Sequence, residues 1–419
     1  MSKTYSESFE LEDPKLVVGN RVLNMIKGEM LFYGISCVLF WSVLLVQIPF
    51  ISKFFGGIKV IFYVPMVYGM FSNLSRLFLI YLQFRKRISP ATRLSTLVWL
   101  GAAFTASGMI AFPIVMAMIG EDHPDLGFFL CMLITALVGT FNSFLVTGGF
   151  SLMSLAPQGC GQFFLLGLTA TGIITWPLMM FIRKICESLG TDTSTSFWVA
   201  TITLTLTGVI CLCTIPMYVF RTSKNVYFEE QLNAPILEVS QGGLFSTFRK
   251  IWASVISLWL SRVITFSLYP CMIGLWSPGS FSFTTEVYRS FMIYLGPVSD
   301  TIGQLMYRYC GWFNRMGEKS LVVITVVRGV VLIPLFLMSA YYDGESFIFL
   351  ASDAFRCALM FCFSCSMGIN YSLGNALAPR QVGSVEEKMN VGVILSFVAT
   401  NGLFVGSLVS IGFRSIVLD

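Results

Sequence analysis

Charge is what this 419-residue chain has least of. Asp, Glu, Lys and Arg make up 12% of it, where soluble domains carry roughly 25%. A soluble protein of this length could not cover its surface with so few charges. Histidine occurs once, at His123, so no Cys/His zinc constellation can be assembled. A lysine-containing phosphate loop, an HExxH pair and a nucleophile elbow are all missing, which gives no site for ATP hydrolysis, metalloproteolysis or acyl transfer. No enzymatic activity and no cofactor are expected. The eleven cysteines lie mostly in apolar runs. No external-loop pair suggests a disulfide, and small apolar packing residues are the simpler reading. A net charge of +5 gives no reason to expect nucleic acid.

What the chain has in excess is apolar residues, at 55%. They fall in long unbroken runs, not in ten-residue alternating strands, which selects spanning helices over a membrane barrel. The lipid bilayer is the missing solvent. Spans are expected near 30–51, 58–83, 94–119, 126–154, 161–182, 196–220, 251–276, 287–308, 319–341, 353–378 and 390–414. The fourth run could hide a break, and 344–352 reads as a short external segment. The fold class is an all-α polytopic membrane protein of about eleven helices. The first apolar run is too long for a cleaved leader and reads as a retained anchor.

Lys and Arg concentrate in segments that a cytoplasmic N-terminus places inside, such as Arg85-Lys86-Arg87 with Arg93. The loop at Glu121-Asp122-His123 has none and falls outside. This is the positive-inside bias, with Arg183-Lys184 as the exception. Eleven spans then put the C-terminus outside. The longest polar interruption sits after the sixth span. It divides the chain into a cytoplasmic segment 1–29, a six-helix bundle 30–220, a central cytoplasmic loop 221–250 and a five-helix bundle 251–419. Two bundles joined this way are common in secondary transporters. The loop reads as a flexible connector before it reads as a regulatory segment.

Charges inside spans are costly and carry the functional information. Arg76, Arg262, Asp300, Arg328, Asp353 and Arg356 are the candidates. Arg262 and Asp300 are deepest; the others lie nearer an interface, where snorkelling would explain them. Asp300, Gln304 and Arg308 are spaced i, i+4, i+8 and share one helix face. A carboxylate and an amide one turn apart can grip hydroxyl or amine groups of a solute. The alternative is a buried Asp300–Arg262 ion pair that only fixes packing. Asp300 could also carry a proton, which makes protons a candidate co-substrate. Trp41, in mid-span beside Ser42, suits a flat heterocycle or plain packing. The glycines at 148, 149, 167, 172, 392, 402 and 406 read as close helix contacts.

The chain resembles the equilibrative nucleoside transporter family. The densest likeness runs from Asp353 to the C-terminus: Ser366-Met367-Gly368, Pro379, Glu386-Glu387, Gly392, Phe397, Gly402-Leu403, Gly406 and Phe413-Arg414-Ser415. Gly34 with Trp41, Arg87-Ile88, Asn142-Ser143, Tyr269-Pro270, Asp300-x-x-Gly303 and Arg328 with Pro334 extend it over nearly the whole length. The resemblance implies a major-facilitator-like fold in a 6+5 arrangement, alternating access, and facilitative or proton-linked transport of nucleosides or nucleobases. It implies the plasma membrane as location. It also implies a solute cavity including Val38, Trp41, Phe71, Leu74, Asp300 and Leu403. Arg262 and Arg308 would be charge partners of that cavity. The chain departs from the family where Gln304 replaces an arginine and Gly149 replaces a glutamine. Another small polar solute (an amino acid, a cation, a lysosomal metabolite) or a receptor or scaffold without flux are the competing readings.

Overall fold

The computed structural model describes residues 20–51, 59–84, 90–119, 123–156, 159–223, 243–269, 271–341 and 349–418. The Arg85–Arg87 run and most of the central loop lie outside the described residues. The described residues form helices with no strand. In chain order these are α1 (Asn20–Cys37), α2 (Leu39–Ile51), α3 (Lys59–Phe84), α4 (Pro90–Ile119), α5 (Pro124–Leu155), α6 (Gly161–Ser188) and α7 (Thr193–Ser223). After the central loop come α8 (Leu244–Leu268), α9 (Thr285–Tyr309), α10 (Glu318–Val327), α11 (Ile333–Tyr341), α12 (Asp353–Leu377) and α13 (Val385–Leu418).

These helices follow the eleven expected runs in order, with four local differences: the seventh, expected over 251–276, is the helix Leu244–Leu268, which starts inside the segment expected as loop, and the other three are as follows. The first run begins at Asn20, because Ile26 and Met30 already pack into the core. It bends by 46° between α1 and α2 at Val38. The ninth is interrupted by a π-helical turn, Arg328–Leu332, the wider turn that often marks functional positions. The fourth contains no break: α5 is continuous over 32 residues.

Among the described residues, eight helical stretches are long and apolar enough to cross a membrane, with α10, the π-turn and α11 counted as one, and a ninth if the bent pair counts as one span. The two that fall short, α3 and α9, are the ones loaded with polar side chains. Ser72, Asn73, Ser75 and Arg76 are buried on α3, while α9 carries Asp300, Gln304 and Arg308. Burial among neighbours lets a span hold groups that lipid would expel.

Local signals set several helix starts. Thr284 accepts a hydrogen bond from the Val287 amide, and Ser352 from that of Phe355. Ser384 and Glu387 form a reciprocal capping box, which satisfies amides that a helix start leaves unpaired.

The glycines bring backbones together. A Cβ on Gly368 would lie 2.0 Å from the Asp300 carbonyl oxygen, and one on Gly303 would lie 2.1 Å from that of Cys365. Helices α9 and α12 therefore touch main chain to main chain beside Asp300. Gly402 leaves the same kind of room for Arg262. Helix α13 packs along α8 and also along α3 and α5, and α9 packs on α12 and α6. Elements before and after the central loop thus meet on two sides of a shared centre.

Gly368→Val should cost at least about 1–3 kcal/mol by overpacking, read as a lower melting temperature of the purified protein in detergent. Gly311→Ala, with open space around the added carbon, should leave that temperature unchanged.

Candidate functional site

The buried arginines organise the centre. Arg328, 2% exposed, spends its whole fork. Its Nη1 donates to the carbonyl and hydroxyl oxygens of Ser261 at 2.8 and 3.0 Å. Its Nη2 donates to Thr265 Oγ1 at 2.9 Å and the Phe363 carbonyl at 3.2 Å. Its Nε reaches Ser366 Oγ at 3.2 Å, and the guanidinium lies 4.4 Å over the Phe363 ring. Leaving an arginine unserved at the centre of a spanning helix costs about 3 kcal/mol on insertion scales, and these acceptors offset that. The interface-snorkelling reading of Arg328 is overturned. The π-turn that holds it aims the side chain inward at α8 and α12.

Arg76 is equally buried, at 2% exposed, so snorkelling fails here too. Its Nη1 donates to the Ser396 carbonyl at 2.6 Å and to Thr400 Oγ1. Tyr68, Tyr371 and Cys37 are within electrostatic reach. Two helical turns away, Tyr68 stacks on Trp41 with centroids 4.8 Å apart and planes at 28°. Asn142 on α5 fixes that tyrosine, donating to its hydroxyl at 2.6 Å. The aromatic surface is thus a pair rather than Trp41 alone. Val38 stands at the bend that separates Trp41 from α1.

Across the centre, the Arg262 guanidinium sits 4.1 Å over the Tyr371 ring. It makes no contact ion pair with Asp300, although Asp300 is within electrostatic reach of both Arg262 and Arg328. The packing-only ion pair is therefore not what is seen. Asp300 is only partly buried. Its Oδ1 accepts from Gln304 Nε2 at 3.4 Å, and the buried Gln304 Oε1 has no partner. Arg308, one turn further on, turns away and lies 4.1 Å over Phe163 of α6. It does not join Asp300.

Leu403 is 6% exposed and packs against Gly69 of α3. Leu74 stands apart. It is 55% exposed, on a stripe with Leu77, Phe78 and Tyr81 that has lipid-facing spacing. Phe71 flanks the same stripe and is half-buried. The structure does not bring Leu74 to Trp41. The residues that sequence reasoning missed, Tyr68, Asn142 and Tyr371, carried weak signals. Tyr68, Ser72 and Arg76 are spaced i, i+4, i+8, the same pattern that singled out Asp300.

Gly149 packs on Phe164, whose ring would lie 2.4 Å from an added Cβ. A glutamine has no room there. Asp353 and Arg356 also do not snorkel. Asp353 accepts from the amides of Gly279, Ser280 and Phe281, and Arg356 donates to the carbonyls of Ser277 and Ser339. Together they tie down the segment between α8 and α9. No cluster of three or more His, Cys, Asp or Glu suited to a metal occurs among the described residues.

Comparison with known proteins places this arrangement. A family model described as nucleoside transporter matches residues 225–415. Equilibrative nucleoside transporter 2 of Homo sapiens is 21% identical over 359 residues, 74% of this chain and 77% of that protein. Over these ranges the chain is similar in sequence to equilibrative nucleoside transporters. The Mus musculus protein of the same name is 27% identical over 180 residues, 42% of this chain and 39% of that one. Among solved structures, the nucleoside transporter NupG has a TM-score of 0.54 at 15% identity, covering 94% of this chain and 92% of its own. The major facilitator superfamily transporter FucP has a TM-score of 0.52 at 13% identity, covering 94% and 98%. The fold is therefore that of the major facilitator superfamily.

Arg328→Lys should destabilise the protein by about 1–3 kcal/mol, because a point charge cannot serve acceptors set out for a planar fork. Thermal melting in detergent checks this.

Proposed function

We propose that the chain carries nucleosides or nucleobases across a membrane by alternating access, with its solute site between Trp41 and Asp300. The observation that carries this reading is the contact between α2 and α9, helices from opposite halves of the chain that bear two kinds of group. Helices α2 and α3 supply a stacked aromatic pair, Trp41 and Tyr68. Helix α9 supplies a carboxylate and an amide with an open acceptor, Asp300 and Gln304. A flat base stacks on the first, and sugar hydroxyls or ring N–H groups donate to the second. The bend at Val38, beside the aromatic pair, is a discontinuity of the kind that forms midplane sites in transporters.

The halves 30–220 and 251–419 would rock about this centre. Contact between α9 and α6 on one side, and between α13 and α3 on the other, gives each half one surface to slide on. The N-terminus is cytoplasmic, the C-terminus extracellular, and the plasma membrane is the location in this reading. Asp300 is the group that would exchange a proton if flux is proton-linked. Gln304 in place of the family's arginine favours a second reading, in which the same site takes a different small polar solute.

Asp300→Ala, with surface expression intact, should lower uptake of labelled uridine and adenosine by at least about tenfold, the effect of losing one partly buried charged hydrogen-bond partner. Undiminished uptake would remove Asp300 from the site. Gln304→Arg should change the ratio of nucleoside to nucleobase uptake, and an unchanged ratio would count against the placement.

A further inference from the structure

The central charges do not balance. Arg262 and Arg328 face one carboxylate, Asp300. Arg76 has Tyr68, Tyr371 and Cys37 as ionisable neighbours, with no carboxylate among them. Among the described residues, none of the three arginines is in a contact ion pair. Arg328 is fully served by acceptors, as described above. The other two are not: Nε of Arg76 and Nε of Arg262 are buried without a partner. Both lie around one side chain, since Tyr371 is within electrostatic reach of Arg76, Arg262 and Asp300 alike. Two under-used guanidinium groups, one from each half of the chain, thus face one tyrosine, and Arg76 also reaches Tyr68 of the aromatic pair. Buried charge in a spanning bundle persists where something supplies the opposite charge. A carboxylate or phosphate group accepts from guanidinium forks better than any neutral group does.

We propose that the site selects an anionic solute: a flat aromatic ring bearing a carboxylate or phosphate, held by Arg76 and Arg262 while its ring stacks on Trp41 and Tyr68. This deepens the transport reading and rests on it. It also gives the exchange at position 304 a physical sense. Arg262 of α8 brings a guanidinium to the Asp300 neighbourhood from a different helix, and Arg76 adds one from the opposite half. The site therefore holds more positive charge than Asp300 can neutralise, although Gln304 itself is neutral. A solute anion arriving between the halves would bridge the two arginines and draw the halves together.

The test is flux into proteoliposomes of the purified full-length protein at pH 7, with three probes: uridine, orotate and uridine 5′-monophosphate. The expected result is that orotate or the monophosphate is carried at least about tenfold faster than uridine, and that an inside-positive potential speeds anion entry. The carboxylate and phosphate arms separate the two sources of charge. Arg262→Gln and Arg76→Gln should each abolish most of the anion flux, and Arg262→Lys should restore part of it. Arg315→Gln, on an exposed turn, should change nothing. Stabilisation of the wild-type protein against heating by orotate or the monophosphate, and not by uridine, gives a readout that survives if a variant fails to fold. Uridine flux without anion flux overturns this proposal and leaves the transport reading standing. Absence of flux and of thermal stabilisation with all three probes overturns both. Anion flux untouched by both glutamine variants removes these arginines from the site.

Discussion

Burying a guanidinium where lipid surrounds the protein is the constraint on which the centre of this molecule depends. Each arginine there must be met by oxygen atoms or by an aromatic face, because no water from the bilayer core can serve it. Arg328 is met by Ser261 and Thr265 on α8 and by Ser366 and the Phe363 carbonyl on α12, which binds three helical units into one body. Arg76 is met by α13 from across the chain. The same need explains why Ser and Thr are so frequent among the buried residues, and why α3 and α9 are too polar to register as spans. Their polarity is solvated by protein.

Glycine does the complementary work. Gly303 and Gly368 let α9 and α12 approach until main chain meets main chain, and the contact lies at Asp300 itself. The carboxylate is thereby placed by backbone geometry rather than by an ion pair. Such placement leaves its oxygens available, with the Gln304 amide as their modest neighbour. The aromatic pair on the opposite side is also set by a hydrogen bond from outside it, through Asn142. Rigid backing behind polar or flat faces is what a site needs if a weakly held solute is to be oriented and then released.

Much of the architecture was legible in the sequence because it depends on sums over long segments. Twenty-residue apolar runs give the helices and their order with little ambiguity, and the order of motifs pointed to the family. The site was only partly legible. Asp300 and Trp41 stood out because a charge and a large aromatic in mid-span are each expensive or unusual alone. Arg76 and Arg328 were read as interfacial because distance along a span was the only depth measure available. Their partners, Ser396, Thr400, Ser261 and Thr265, are ordinary residues whose role exists only once the helices are packed. Arg308 failed in the opposite way. Its spacing from Asp300 was correct for one face, but a long side chain two turns away follows the nearest aromatic ring, here Phe163. Leu74 shows the limit of transferring a family position when the local face of the helix is set by a stripe of exposed apolar neighbours.

The contact between Gly149 and Phe164 also limits which substitutions this chain can accept. Phe164 is buried and wedged between Tyr33 and Phe150, so its ring has nowhere to retreat. A single change to glutamine at 149 meets that ring before it gains any solute contact. Only a path that first shrinks residue 164 is open, and that step alone hollows the packing between α1, α5 and α6. The two positions are therefore locked together. A larger side chain at 149 is accepted only together with a smaller one at 164, so the two behave as one unit of the packing.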